Sequence, residues 1–123
     1  DPKNGHLLRE GAQPLPADQD DDALEIAVRT VRLDDLADTP VDFIKIDVEG
    51  AEEQVWTGMQ GVLGRSPKIT VLMEFNAFRC HVPEKTLSEI AGRFELRELG
   101  FDAELHPVTI GEILPRREDT LLV

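Results

Sequence analysis

The chain has 123 residues, 41% of them apolar, which is enough for one small domain or part of one. Twenty-five acidic residues against 13 basic ones leave a net charge of −12, which argues against nucleic-acid partners, whose phosphates need clustered Lys and Arg, and against an anionic membrane surface. Cys80 is the single cysteine, so an internal disulfide framework and a multi-cysteine zinc site are excluded, and with no signal peptide or long apolar run a reducing, cytoplasmic compartment is expected.

The chain opens Asp1-Pro2-Lys3 without an initiator methionine, which predicts a processed chain, a truncated one or a fragment. Residues 1–25 are poor in periodicity and rich in Asp, Pro and Gly, and read as a flexible acidic segment. Leu7-Leu8 is a short apolar pair and a candidate edge strand. The aspartates within 13–22 have the chemistry to chelate a cation, but such charge runs are usually only solvated. Residues 24–33 alternate, Ile26, Val28 and Thr30 against Ala27, Arg29 and Val31, and predict a half-buried strand. Leu33-Asp34-Asp35-Leu36 predicts a short helical turn with its acids where a helix N-terminus favours them, and Pro40 closes off any helix before it.

Residues 41–48 predict a central strand with Phe43, Lys45 and Asp47 on one face and Ile44, Ile46 and Val48 on the other. Lys45 and Asp47 then lie about 6–7 Å apart by strand rise, close enough for an ion pair at the strand end. After the turn at Glu49-Gly50, one amphipathic helix is predicted, with Val55, Trp56, Met59, Val62 and Leu63 as its apolar stripe and Glu49, Glu52 and Glu53 at its N-terminus. Trp56 lies on the stripe and reads as core. Residues 68–75 predict a second strand ending at Glu74. Strand, helix, strand implies a parallel right-handed crossover, so Glu74 is expected beside Asp47 at the carboxyl edge, where α/β sheets bind ligands. Asn76, Arg79 and His81 leave that same edge. Pro83 starts a further helix, buried through Leu87, Ile90 and Phe94, with a bend or restart near Gly92. Residues 101–106 predict a strand with Phe101, Ala103 and Leu105 inward, 107–117 a loop, and 121–123 the last strand.

The run DFIKIDVEGAEEQVWTGM, preceded by TVRLDDL and followed by ITVLMEF, resembles the FkbM family of S-adenosylmethionine-dependent methyltransferases. The match is close over residues 28–75. It implies an α/β, Rossmann-like methyltransferase sheet, mostly parallel with an antiparallel last strand, the final two strands forming a hairpin at the sheet edge. The activity implied is methyl transfer, commonly to a hydroxyl oxygen, here of a small molecule or sugar. One feature of the family is missing: a glycine-rich turn of the form Asp-x-Gly-x-Asx-x-Gly occurs nowhere in the chain. The expectation is therefore the second half of such a domain over residues 26–123, with four to five strands and two main helices, and no activity as this chain alone.

On that resemblance, Asp47 and His81 are the candidate catalytic residues, Lys45, Asp47 and Glu49 face the cofactor, and Glu74, Asn76 and Arg79 face the acceptor. A positioned base helps a hydroxyl acceptor, and carboxylates or a histidine with a pKa near neutrality serve. A hard divalent cation on Asp47, Glu49 and Glu74 is the rival use of the same oxygens, and no metal is assigned. The alternative to an enzyme is a non-catalytic α/β interaction domain, or a fragment that self-associates. The apolar strand 41–48 would have a bare edge, and bare edges recruit strands from a second copy, from 7–9 or from 26–31.

Overall fold

The computed structural model describes residues 24–123, and every helix and strand in it lies within Leu33–Val123. The expectations for 1–23, including the Leu7-Leu8 edge strand and the aspartate loop, lie outside the described residues. Residues 24–32 form neither helix nor strand, and Ile26, Val28 and Val31 are exposed. The strand predicted there is a correction: alternation marks an apolar side, but a strand exists only where a ladder satisfies its backbone.

Helix α1 (Leu33–Leu36) is the acidic turn predicted from Leu-Asp-Asp-Leu. Strand β1 (Phe43–Ile46) follows, with Val41 N–H donating to the hydroxyl of buried Ser66 at 2.9 Å to fix its start. The single helix expected next is two, α2 (Glu52–Gly58) and α3 (Gln60–Arg65). The break has a cause in α1. The two carboxylate oxygens of Asp34 accept from Gly61 N–H at 2.9 Å and Val62 N–H at 2.8 Å, so a side chain caps α3 where a continuous helix would use its own carbonyls. The apolar stripe is unaffected, and Trp56, Met59, Val62 and Leu63 are all buried.

Strand β2 (Thr70–Phe75) pairs parallel with β1, Phe43 opposite Thr70 through Ile46 opposite Met73. A short 3₁₀ turn (Ala77–Arg79) leads to α4 (Pro83–Ala91), which starts at its proline and ends at Gly92. The off-register Leu96 and Leu99 belong to the start of a hairpin, β3 (Arg97–Leu99) and β4 (Leu105–Pro107), and not to a restarted helix. Most of the predicted 101–106 strand is its turn. Asp102 accepts from Glu104 N–H and binds the His106 ring, and Ala103 takes a positive φ of 64°, leaving Phe101 fully exposed. The loop expected over 107–117 contains a helix, α5 (Ile110–Ile113), started by a capping box between Thr109 and Glu112. Strand β5 (Thr120–Leu122) closes the chain.

The result is a mixed five-stranded α/β sheet in the order β1-β2-β5-β3-β4, consistent with a methyltransferase-like fold. Two details differ from expectation. The closing pair β4 and β5 is not a hairpin, because β5 inserts between β2 and β3, antiparallel to both. In consequence only the β1–β2 pairing is parallel among the described strands. Ile46, Met73 and Leu122 lie in one core with Trp56, Leu87 and Ile113 from the helices. The opposite face carries Phe43 and Lys45, both exposed. Among the described residues no helix is long and apolar enough to cross a membrane.

Candidate functional site

The site is a product of strand register. In the parallel pair, Ile46 stands opposite Met73, so the next residues, Asp47 and Glu74, come side by side at the carboxyl edge. They are close enough to hydrogen-bond to each other, and a bond between two carboxyl groups requires a proton. That bond is the main cause raising Glu74 above the usual carboxyl range, followed by partial burial and the nearby charges of Asp47 and Asp119, with Lys45 pulling the other way. Lys45 itself is exposed and forms no ion pair with Asp47 or Glu74 among the described residues. The predicted Lys45–Asp47 ion pair is therefore a correction, and its cause is that an exposed ammonium keeps its water and needs no partner.

The antiparallel pairing of β2 with β5 supplies a third carboxylate that the sequence reading missed. Glu74 opposes Leu121 and Phe75 opposes Thr120, so the next pair outward is Asn76 with Asp119. Asn76 is 4% exposed, and its side chain is fully engaged. Its amide donates to Arg117 C=O at 3.0 Å and to Asp119 at 2.9 Å, and its oxygen accepts from Phe78 N–H at 2.9 Å. Arg79 stands 3.6 Å from the same Asp119. Asn76 thus ties the segment after β2 to the segment before β5. Asp119 had no signal in the sequence, since its place depends on β5 entering the middle of the sheet.

The β1–α2 turn carries the backbone strain of the site. Glu49 has φ 37° and Gly50 φ 103°, and Ala51 N–H returns to Val48 C=O. Glycine is suited to its place here, and Glu49 is held at a φ that costs an ordinary residue of order 1 kcal/mol. A side chain at Gly50 would touch Arg79 at 3.7 Å, so turn and loop are in contact. Glu49 is exposed; Glu52, one turn on, is 1% exposed, its Oε2 accepting from Gly50 N–H and its Oε1 without a hydrogen bond among the described residues.

Glu53 holds the other flank. Its carboxylate accepts from His81 N–H at 2.8 Å and Val82 N–H at 2.7 Å, and it sets the start of α4. His81 is exposed, and its ring makes no hydrogen bond among the described residues. Among the described residues no hydrogen bond or ion pair joins it to Asp47 or Glu74. Cys80 is pushed up to about 12, first by burial and then by the charges of Glu53 and Glu52, so at neutral pH it is a thiol and not a nucleophile.

The structure therefore brings Asp47 and Glu74 together, adds Asp119, and places Lys45, Asn76 and Arg79 around them; Glu49 sits in the adjoining turn and His81 further along the exit loop. Among the described residues no three His, Cys, Asp or Glu side chains are arranged to hold a metal ion. An apolar hollow of about 120 Å³ between α4 and the sheet, lined by Trp56, Val71 and Phe94, reaches the amino end of β2 at Thr70, away from the carboxylates.

Comparison with known proteins returns one family. The model described as the methyltransferase FkbM domain matches residues 5–103. No curated protein and no solved structure matches the chain.

Proposed function

The chain belongs to the FkbM methyltransferase family, and from that premise we propose that it serves S-adenosylmethionine-dependent methyl transfer to a hydroxyl oxygen of a small molecule or sugar. The observation that carries this reading beyond membership is the Asp47–Glu74 pair at the carboxyl edge of a parallel β1–β2 unit.

When bound, the cofactor supplies a methyl group on a positively charged sulfonium. Three carboxylates, Asp47, Glu74 and Asp119, suit a cation at this edge, with Lys45 and Glu49 on the cofactor side. The remainder of the cofactor is less well served, because the 123 residues contain no Asp-x-Gly-x-Asx-x-Gly turn. The acceptor hydroxyl must lose its proton as its oxygen gains the methyl group. Asp47, which accepts the hydrogen bond of the pair, takes that proton, while that bond and partial burial favour the protonated form of Glu74 beside it. Arg79 orients the acceptor, and Asn76 acts by holding the loop that presents it. His81 is the reserve base. A cytoplasmic setting accords with the single thiol.

A second reading, a non-catalytic domain that self-associates, is favoured by the β1 edge, which has no second ladder neighbour among the described strands.

The deciding assay is transfer of a labelled methyl group from S-adenosylmethionine to a panel of sugars and small alcohols. Asp47→Asn should lower transfer by about 10²-fold or more while leaving the circular dichroism spectrum intact. Equal transfer by wild type and Asp47→Asn would remove the pair from the reaction. Absence of transfer together with absence of cofactor binding by calorimetry would leave this chain without the activity.

A further inference from the structure

We propose that a second copy of this chain pairs antiparallel with β1 about a twofold axis at Ile46, so that Lys45 of each copy stands opposite Asp47 of the other. The argument is one of backbone direction and then of charge, and it does not depend on the methyl-transfer reading.

In a strand, the N–H and C=O of one residue point to the same side and those of the next to the other. Asp42 C=O accepts from Thr70 N–H at 2.9 Å, so Asp42, Ile44 and Ile46 direct their backbone groups at β2. Phe43, Lys45 and Asp47 direct theirs outward. β1 is the first strand of the sheet order and has β2 as its one neighbour among the described residues. Phe43 at its start and Val48 two residues past its end are 57% and 38% exposed. An edge of this kind is a template for another strand.

A second β1 arriving antiparallel must offer outward groups to outward groups. Four registers centred on a residue of the strand do so; the one on Phe43 sets Phe43 against itself and Val41 against Lys45 and leaves the charges unanswered. Centred on Lys45, the pairing sets two ammonium groups against each other. Centred on Ile44, it sets Phe43 against Lys45 and leaves the charges unanswered. Centred on Ile46, it sets Lys45 against Asp47 twice, as hydrogen-bonded pairs, with Ile46 against Ile46 on the axis.

Both charged partners are available for the register centred on Ile46. Lys45 is exposed and has no ion pair among the described residues of its own chain. Asp47 crowds against Glu74, with Asp119 near, and among the described residues neither carboxylate has an ion pair, the charge of Lys45 acting on Glu74 only from a distance. The Lys45 of a second copy would deliver one. Repulsion between two chains of net charge −12 opposes the contact, but at about 0.15 M salt it is screened beyond roughly 8 Å, while the facing pair is not. A copy that engages Asp47 competes with an acceptor for it, so association and methyl transfer would be alternatives.

The test is sedimentation equilibrium of the whole chain at about 0.15 M salt. A dimer is expected. Lys45→Asp should weaken it about tenfold or more, because opposite charges become like charges at two places. Adding Asp47→Lys to that variant swaps the charges and should restore wild-type association. If Lys45→Asp does not fold by circular dichroism, Lys45→Gln takes its place, with a smaller loss expected. A monomer at all concentrations overturns the proposal; amide exchange then reports whether a segment of the same chain protects Phe43, Lys45 and Asp47. A dimer indifferent to the single substitution, or one the swap fails to restore, overturns it equally.

Discussion

Glu74 shows how a single carboxyl can lower stability to make a site. Its proton affinity in the folded chain is raised, chiefly by the bond to Asp47. A carboxyl raised on folding contributes most at low pH, below its unfolded pKa, and that contribution is lost as pH climbs through the folded value. Glu74→Gln removes the dependence. Denaturant titrations from pH 3 to 7 should therefore find the variant more stable than wild type near neutrality and equal to it at the acid end. A variant less stable at pH 7 would mean that Glu74 is held by contacts other than Asp47. Glu98 works in the opposite sense: the Arg116 guanidinium, 2.7 Å away, lowers its pKa, and its contribution is lost as pH falls through that lowered value. The nearness of Asp47 and Glu74 was legible in the sequence, since a parallel crossover puts both strand ends at one edge. Asp119 was not, because its distance along the chain says nothing until the sheet order is known.

At the scale of elements, Asp34 is the residue that makes two helices of one. Loss of its two backbone contacts in Asp34→Ala should cost about 1–2 kcal/mol by denaturant titration, the usual range for a cap. The same carboxylate reverses an ordinary rule. Gly→Ala inside a helix typically gains about 1 kcal/mol, yet a Cβ at Gly61 would stand 3.0 Å from Asp34, which two hydrogen bonds keep in place. Gly61→Ala should thus destabilise the wild-type chain and become neutral or stabilising in an Asp34→Ala background. Additive effects in the double-mutant cycle would show that the contact is not felt. The stripe of Trp56, Met59 and Leu63 was readable because burial follows helical spacing across the break, whereas the break itself comes from a residue about 27 positions away. The capping box Thr109–Glu112 was in plain view as a motif, and the loop reading over 107–117 passed over it. Leu96 and Leu99 misled in a different way, since three-residue strands are too short for periodicity to separate from a fraying helix.

For the molecule as a whole, class and family could be read from one run of residues, because β1, its turn and β2 are contiguous in the chain and local in contact. The sheet order could not, because it is decided by which strand β5 displaces. Thr120 and Leu122 are buried, and the β2–β5 and β3–β5 ladders are all that join the β3–β4 hairpin to β2 within the sheet. Removing 120–123 should convert one cooperative unfolding transition into a broad one, with amide protection lost first in the hairpin. A single sharp transition in the truncated chain would show that the helices alone bind the hairpin to the core.

That arrangement has a consequence for synthesis on the ribosome. The strand in the middle of the sheet is the last of the five described strands to be made. Until residue 122 is free, β2 lacks its β5 neighbour, and the hairpin that precedes β5 has no strand of the sheet to pair with. The nascent chain must therefore wait with the inner edges of β2 and β3 unpaired, so chaperone protection and not translation speed should govern its yield.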